Sequence, residues 1–113
     1  MRIVGLEEFL SLRSGTVFAK YRPQIFGELC VKGDSINESS DFFYRPIWEP
    51  LAYSSSELCD VLIAAEERKA EVQIDTDCWQ RDVLFEYDQL FAVFSGDEVV
   101  KIAESLVAAS KGV

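Results

Sequence analysis

The sequence predicts an α+β fold: an antiparallel sheet of about five strands, two longer helices packed on one face of the sheet and a short N-terminal helix. Three observations predict it. Short runs of alternating β-forming residues are separated by turn residues. Two later segments place apolar residues at helical spacing, each behind a serine and a glutamate three positions apart. The chain has 113 residues, of which 49% are apolar, and we therefore expect one compact domain over 1–113.

The first half of the chain predicts one short helix and three strands. The spacing of Leu6, Phe9 and Leu10 indicates the helix. The predicted elements are a helix over 5–12 and strands over 16–21, 25–32 and 41–47. A bulge is expected at Phe26-Gly27 and a turn at Gly33-Asp34. Because the connections between these strands are short, antiparallel pairing is expected.

The second half predicts the two longer helices and up to two more strands. Ser54 with Glu57, and Ser95 with Glu98, have the spacing of a capping box, in which serine and glutamate each bond the other's backbone N–H. The predicted elements are helices over 55–69 and 97–110 and strands over 71–75 and 88–94. The 88–94 run is almost continuously apolar, which is typical of a buried strand.

The negative charge is concentrated in one segment. Between Glu57 and Glu98 there are twelve acidic and three basic residues, a balance of −9 that equals the formal net charge of the whole chain. The remaining acids and bases cancel. A field of this sign favours basic partners and opposes direct binding of nucleic acid.

This segment is the first candidate site, an interaction surface that imitates nucleic-acid phosphates and docks on a basic groove of another protein. Trp79, Phe85 and Tyr87 lie among its acids, and aromatic anchors inside a charged rim are typical of specific interfaces. The alternative is a solvated face that only keeps the protein soluble. The residues predicted to bind the partner, called here the acidic surface, are Glu67, Glu71, Asp75, Asp77, Trp79, Asp82 and Glu86.

A second candidate site combines basic and aromatic residues of the first and third predicted strands. Aromatic rings beside Lys and Arg can stack a base and hold a phosphate, which suggests a pocket that sequesters a nucleotide signal. Such a pocket would lie between subunits and would make the protein a homo-oligomer. The alternative is that half of the rings serve the core, as strand alternation requires. This set, called here the ligand set, is Lys20, Tyr21, Arg22, Tyr44 and Arg45.

Catalysis has little support in the sequence. The chain has no histidine, so the commonest general base and metal ligand is absent, and no phosphate-binding or nucleophile motif occurs. Asp75 and Asp77 could act as an acid–base pair or hold Mg²⁺, but no further ligands accompany them. Cys30, Cys59 and Cys78 have no metal-binding spacing and are expected to be reduced thiols. We therefore predict no catalytic residue, metal or cofactor.

Neither a membrane span nor a signal peptide is expected. No run of about 18 apolar residues occurs. Acidic residues follow the N-terminal methionine too closely for the apolar region of a signal peptide. The expected location is the cytoplasm.

Five stretches of the chain are similar to small proteins of tailed bacteriophages and prophages. They are EFL at 8–10, SGTVF at 14–18, FGELCVKG at 26–33, DFFY at 41–44 and DQLFAV at 88–93. The resemblance assigns no catalytic or ligand-binding residue. It implies a setting, because small acidic phage proteins often resemble host-takeover or anti-defence factors, anti-CRISPR proteins among them.

The sequence thus leads to a first hypothesis of a non-enzymatic, phage-type protein that inhibits a host nucleic-acid-handling or defence complex in the cytoplasm of the bacterial host. A nucleotide-sequestering protein is the second hypothesis. An enzyme with an unfamiliar carboxylate or cysteine site is the third.

Overall fold

The structure is a computed structural model that describes residues 1–36, 40–83 and 86–112. Its elements, in chain order, are β1 (Arg2–Val4), α1 (Leu6–Ser11), β2 (Val17–Arg22), β3 (Ile25–Ser35), β4 (Phe42–Pro46), β5 (Glu49–Pro50), α2 (Ser55–Arg68), β6 (Ile74–Asp75), β7 (Gln80–Asp82), β8 (Leu90–Val93) and α3 (Gly96–Lys111). Six strands form an antiparallel sheet in the order β1-β8-β2-β3-β4-β7, and β5 pairs with β6 separately.

The predicted α+β class is confirmed, with one more strand in the sheet than expected. Strands β2, β3 and β4 form the predicted antiparallel meander, and its register shifts between Ala19 and Tyr21, opposite the bulge predicted at Phe26-Gly27. The turn predicted at Gly33-Asp34 is wrong. Strand β3 continues through both residues to Ser35, and a second shift in register against β4 accommodates them.

Both longer helices begin at the predicted serines. The Ser54 hydroxyl accepts a hydrogen bond from the Glu57 N–H at 3.1 Å, but the Glu57 carboxylate turns to the Tyr53 N–H instead of completing the box. At α3 the box is complete: Ser95 accepts from the Glu98 N–H, and Glu98 accepts from the Ser95 N–H at 2.9 Å. These bonds satisfy helix N–H groups that would otherwise lack a partner.

The core lies on the face of the sheet that α1 covers, and four phenylalanine rings dominate it. The Phe9 ring on α1 stacks on Phe91 of β8, with ring centroids 3.9 Å apart. It also meets Phe18 and Phe42 edge-on, at 4.7 and 5.0 Å. All four rings are essentially inaccessible to solvent. One side chain of a six-residue helix therefore contacts three strands of the sheet.

The expected packing of the two longer helices against the sheet is not seen. Neither α2 nor α3 has a buried side chain. Leu62, predicted to face inward, is 41% exposed. The Cα radius of gyration is 16.4 Å, against about 13 Å for a compact domain of this length. Helical periodicity shows which residues share a side of the helix, but it does not say whether the chain's own sheet covers that side.

No helix in the described part of the chain combines the length and the apolar character that a bilayer crossing requires.

We predict that Phe9→Ala destabilises the fold by about 3–5 kcal/mol, because it removes the ring that three others contact and leaves a cavity. Chemical denaturation followed by tryptophan fluorescence measures the loss. Tyr53→Ala is the matched control: that ring is 85% exposed, so a change within about 0.5 kcal/mol is expected. Equal effects of the two substitutions would contradict this view of the core.

Candidate protein-binding surface

Three members of the acidic surface are fully available to a partner. Glu67 lies on α2, Glu71 follows the helix and Asp77 follows β6, and all three are exposed. No ion pair of the described residues includes any of them. Solvated carboxylates of this kind act on a partner mainly through long-range attraction.

Asp75 is less available to a partner, because it accepts a local hydrogen bond and lies opposite a second carboxylate. Its Oδ1 accepts the Asp77 N–H at 2.8 Å, which closes a turn directly after β6. Across the β5–β6 ladder it lies opposite Glu49, and like charges in this position destabilise a pair of strands. The Gln80 side-chain amide donates to the Glu49 carboxylate and offsets part of that repulsion. Asp77 lies beyond the strand, and no cluster of three or more metal-ligating side chains occurs within the described ranges.

Asp82 and Glu86 are directed at basic residues of the ligand set. Lys20 Nζ lies 2.7 Å from Asp82 Oδ2, and the Asp82 side chain is only 15% exposed. Arg22 lies 3.9 Å from Glu86, with both side chains largely in solvent. The partly buried Lys20–Asp82 contact fixes its two charges more firmly than the exposed Arg22–Glu86 contact, so Asp82 is mainly structural while Glu86 stays accessible. The two candidate sites thus partly neutralise each other.

Trp79 presents an aromatic ring two residues after Asp77. The Arg45 guanidinium lies over its ring, 5.6 Å from the centroid, and the ring is 47% exposed. Gly33 permits this position, because a Cβ there would lie 3.0 Å from both Trp79 Cζ3 and Phe43 Cβ. Tyr87, also predicted as an anchor, is largely exposed, while Phe85 lies outside the described residues.

The structure does not bring the ligand set into one pocket. Tyr44 and Arg45 are neighbours on β4 and point to opposite faces of the sheet. Tyr44 Oη donates to Gln80 Oε1 at 3.0 Å, and the hydroxyl of Tyr21 accepts the Gln24 N–H at 3.1 Å. A cavity of about 500 Å³ does include Tyr21 and Arg22.

The same cavity is also lined by Glu86 and Asp88. A phosphate placed beside Arg22 would meet these two carboxylates, and like charges at short range oppose binding.

Comparisons with protein-family models, curated proteins and solved structures match nothing.

A buried lysine escaped the sequence analysis. Lys32 is 1% exposed on the core face, where its ammonium lies 5.7 Å from the centroid of the Phe9 ring. It donates to the Gly33 carbonyl at 3.0 Å and to Ser35 Oγ at 2.9 Å, and burial lowers its pKa. Strand alternation was the available signal, because Lys32 is two residues after the buried Cys30 and shares its face.

The three cysteines are free thiols, and their exposure differs. Cys59 on α2 is exposed, whereas Cys30 and Cys78 are buried. Burial, with a smaller contribution from the Glu28 carboxylate, raises the pKa of Cys30 to about 12. Burial likewise raises the pKa of Cys78. A thiol held in its protonated form is a poor nucleophile and a poor metal ligand.

The raised pKa of Cys30 predicts a loss of stability in alkali. Above pH 9 the unfolded chain releases this proton while the folded chain keeps it, so the free energy of unfolding falls as the pH rises from 9 to about 12. The slope for one thiol is at most about 1.4 kcal/mol per pH unit. Denaturant unfolding at several pH values should show this slope reduced in Cys30→Val, relative to the wild type, and retained in Cys59→Ser. Parallel profiles for all three proteins would contradict it.

Proposed function

We propose that this protein is a non-enzymatic binding protein that docks its acidic surface on a basic surface of another protein and so keeps nucleic acid away from it. The observation on which this rests is the exposure of Glu67, Glu71 and Asp77, none of which forms an ion pair within the described residues. Unneutralised charge raises the rate of encounter with a partner of opposite sign.

The exposed ring of Trp79, two residues after Asp77 in the chain, supports the same function. Trp79 is half exposed, is supported from below by Gly33 and is covered in part by Arg45. Tryptophan and arginine are the residues most often found where an interface concentrates its binding free energy. Exposed acids that attract a basic partner, together with an exposed tryptophan that can pack against it, suit a protein partner.

The resemblance to phage proteins adds the setting. It suggests that the partner belongs to a host nucleic-acid-handling or defence complex in the bacterial cytoplasm. The nucleotide-sequestering alternative has less support, because Lys20 and Arg22 approach Asp82 and Glu86 and because Tyr44 and Arg45 lie on opposite faces.

We predict that the triple change Glu67→Lys, Glu71→Lys and Asp77→Lys slows association with the partner by about tenfold or more at low salt, because charges at an interface rim act mainly on the encounter rate. Asp82 is left intact, since a lysine there would face Lys20 and disturb the fold. The partner is captured from bacterial lysate on immobilised protein, eluted with salt and purified. Its association rate is then measured over a salt series.

The charge-matched control is Glu7→Lys, Glu28→Lys and Glu104→Lys, which changes the net charge equally at exposed acids outside the acidic surface. The association rate of this control with the partner should stay within about twofold of the wild-type rate, once the effect of the changed net charge is subtracted. Duplex DNA should compete with the wild type for the captured protein. Two results together would favour nucleotide sequestration instead. The variant with lysine at positions 67, 71 and 77 would capture the partner as well as the wild type does, and Arg22→Ala would abolish inhibition of the host complex.

A further inference from the structure

Helix α3 presents an apolar stripe that the described residues leave largely uncovered. Val99, Ile102, Ala103 and Leu106 recur at helical spacing along it. The first two are half-buried, Ala103 is exposed, and Leu106 is 65% exposed. The stripe therefore starts against the body of the protein and continues outward into solvent.

The helix does not need a partner to form its first turn. Its capping box is complete, and the Glu98 carboxylate also pairs with the N-terminal ammonium group of Met1 at 2.5 Å. These two contacts lower the pKa of Glu98 to about 2. With 16 residues the helix is about 24 Å long, so it offers an apolar surface of several turns.

The charges on α3 fit a second copy of the same helix in the opposite direction. The helix has three acids and two bases, whereas α2 has four acids and one base, so α3 is the less repulsive of the two between copies of a strongly acidic chain. Asp97 and Glu98 lie at its N-terminal end and Lys111 at its C-terminal end. The Glu98 carboxylate is occupied by Met1 and Ser95, so the exposed Asp97 is the acid that can meet Lys111 of the other copy. An antiparallel pair brings Asp97 and Lys111 together and opposes the two helix dipoles, whereas a parallel pair brings like charges together.

We propose that α3 is a homodimerisation surface, in which the Val99–Leu106 stripe packs antiparallel against the same stripe of a second copy. The contact is isologous, since each copy offers the same patch to the other. Alanine at 103 lets the two helix backbones approach closely near the middle of the pair. This surface is separate from the acidic surface, which stays free for a different partner.

The dimer is expected to be weak. Two helices of this length bury less than about 1,200 Å², the lower limit for stable interfaces. The protein should therefore pass from monomer to dimer over about a hundredfold range of concentration, as mass action requires. Sedimentation velocity over that range measures the transition directly.

Two identical substitutions on opposite sides of α3 test the surface. Ala103 and Ala108 are both exposed, and they lie about 140° apart around the helix. Ala103→Glu places a charge in the stripe of both copies and should weaken dimerisation by about tenfold or more, whereas Ala108→Glu should dimerise like the wild type. Circular dichroism checks that both variants keep their helices.

Cross-linking tests the direction of the pair, in a Cys59→Ser background because Cys59 is the exposed thiol. Two antiparallel helices that cross at their midpoint bring residue 103 of one copy close to residue 103 of the other. They leave the two copies of residue 110 about 20 Å apart, beyond the reach of a disulfide. Oxidation should therefore cross-link Ala103→Cys and not Ser110→Cys.

Three results would overturn the proposal. The first is a wild type that stays monomeric at every concentration. The second is equal weakening by Ala103→Glu and Ala108→Glu, which would show that the stripe is not the contact. The third is cross-linking of Ser110→Cys as readily as Ala103→Cys, which would mean a parallel pair. None of these results bears on the acidic surface, so this proposal and the proposed function can fail separately.

Discussion

The stacking of Phe9 on Phe91 is the contact on which the rest of the fold depends. A single six-residue helix covers the core face, and the ring of Phe9 reaches strands β2, β4 and β8 together. The Lys32 ammonium also lies over the Phe9 ring, so a polar side chain packs at the boundary of the hydrophobic core. Because α2 and α3 contribute no buried side chain, few other contacts can compensate for a loss at this point.

The sequence predicted the elements whose signals are local. Two serines with a glutamate three positions later located both longer helices, since a capping interaction involves only neighbouring residues. The meander of β2, β3 and β4 followed from alternation and short turns. The missed strands β1, β5 and β7 have two or three residues each, which is too short for any periodicity to appear.

The candidate sites were harder to predict, because they depend on contacts between distant parts of the chain. The approach of Lys20 to Asp82 joins residues 62 positions apart, and no pattern in the sequence indicates it. Once formed, it removes one acid from the acidic surface and one base from the ligand set. Net charge is therefore a poor guide to which carboxylates a partner meets.

The position of β7 at the edge of the sheet gives the chain between α2 and β8 a distinct thermodynamic character. Within the described residues, β7 joins this segment to the sheet through three residue pairs with β4. Because local opening costs least where contacts are few, this short edge ladder is expected to open below the global unfolding free energy. A ligand that grips Trp79, directly before β7, would hold the ladder closed and slow amide hydrogen exchange there. The fraction of protein with this ligand bound and the fraction with the β7 ladder closed would then report the same equilibrium.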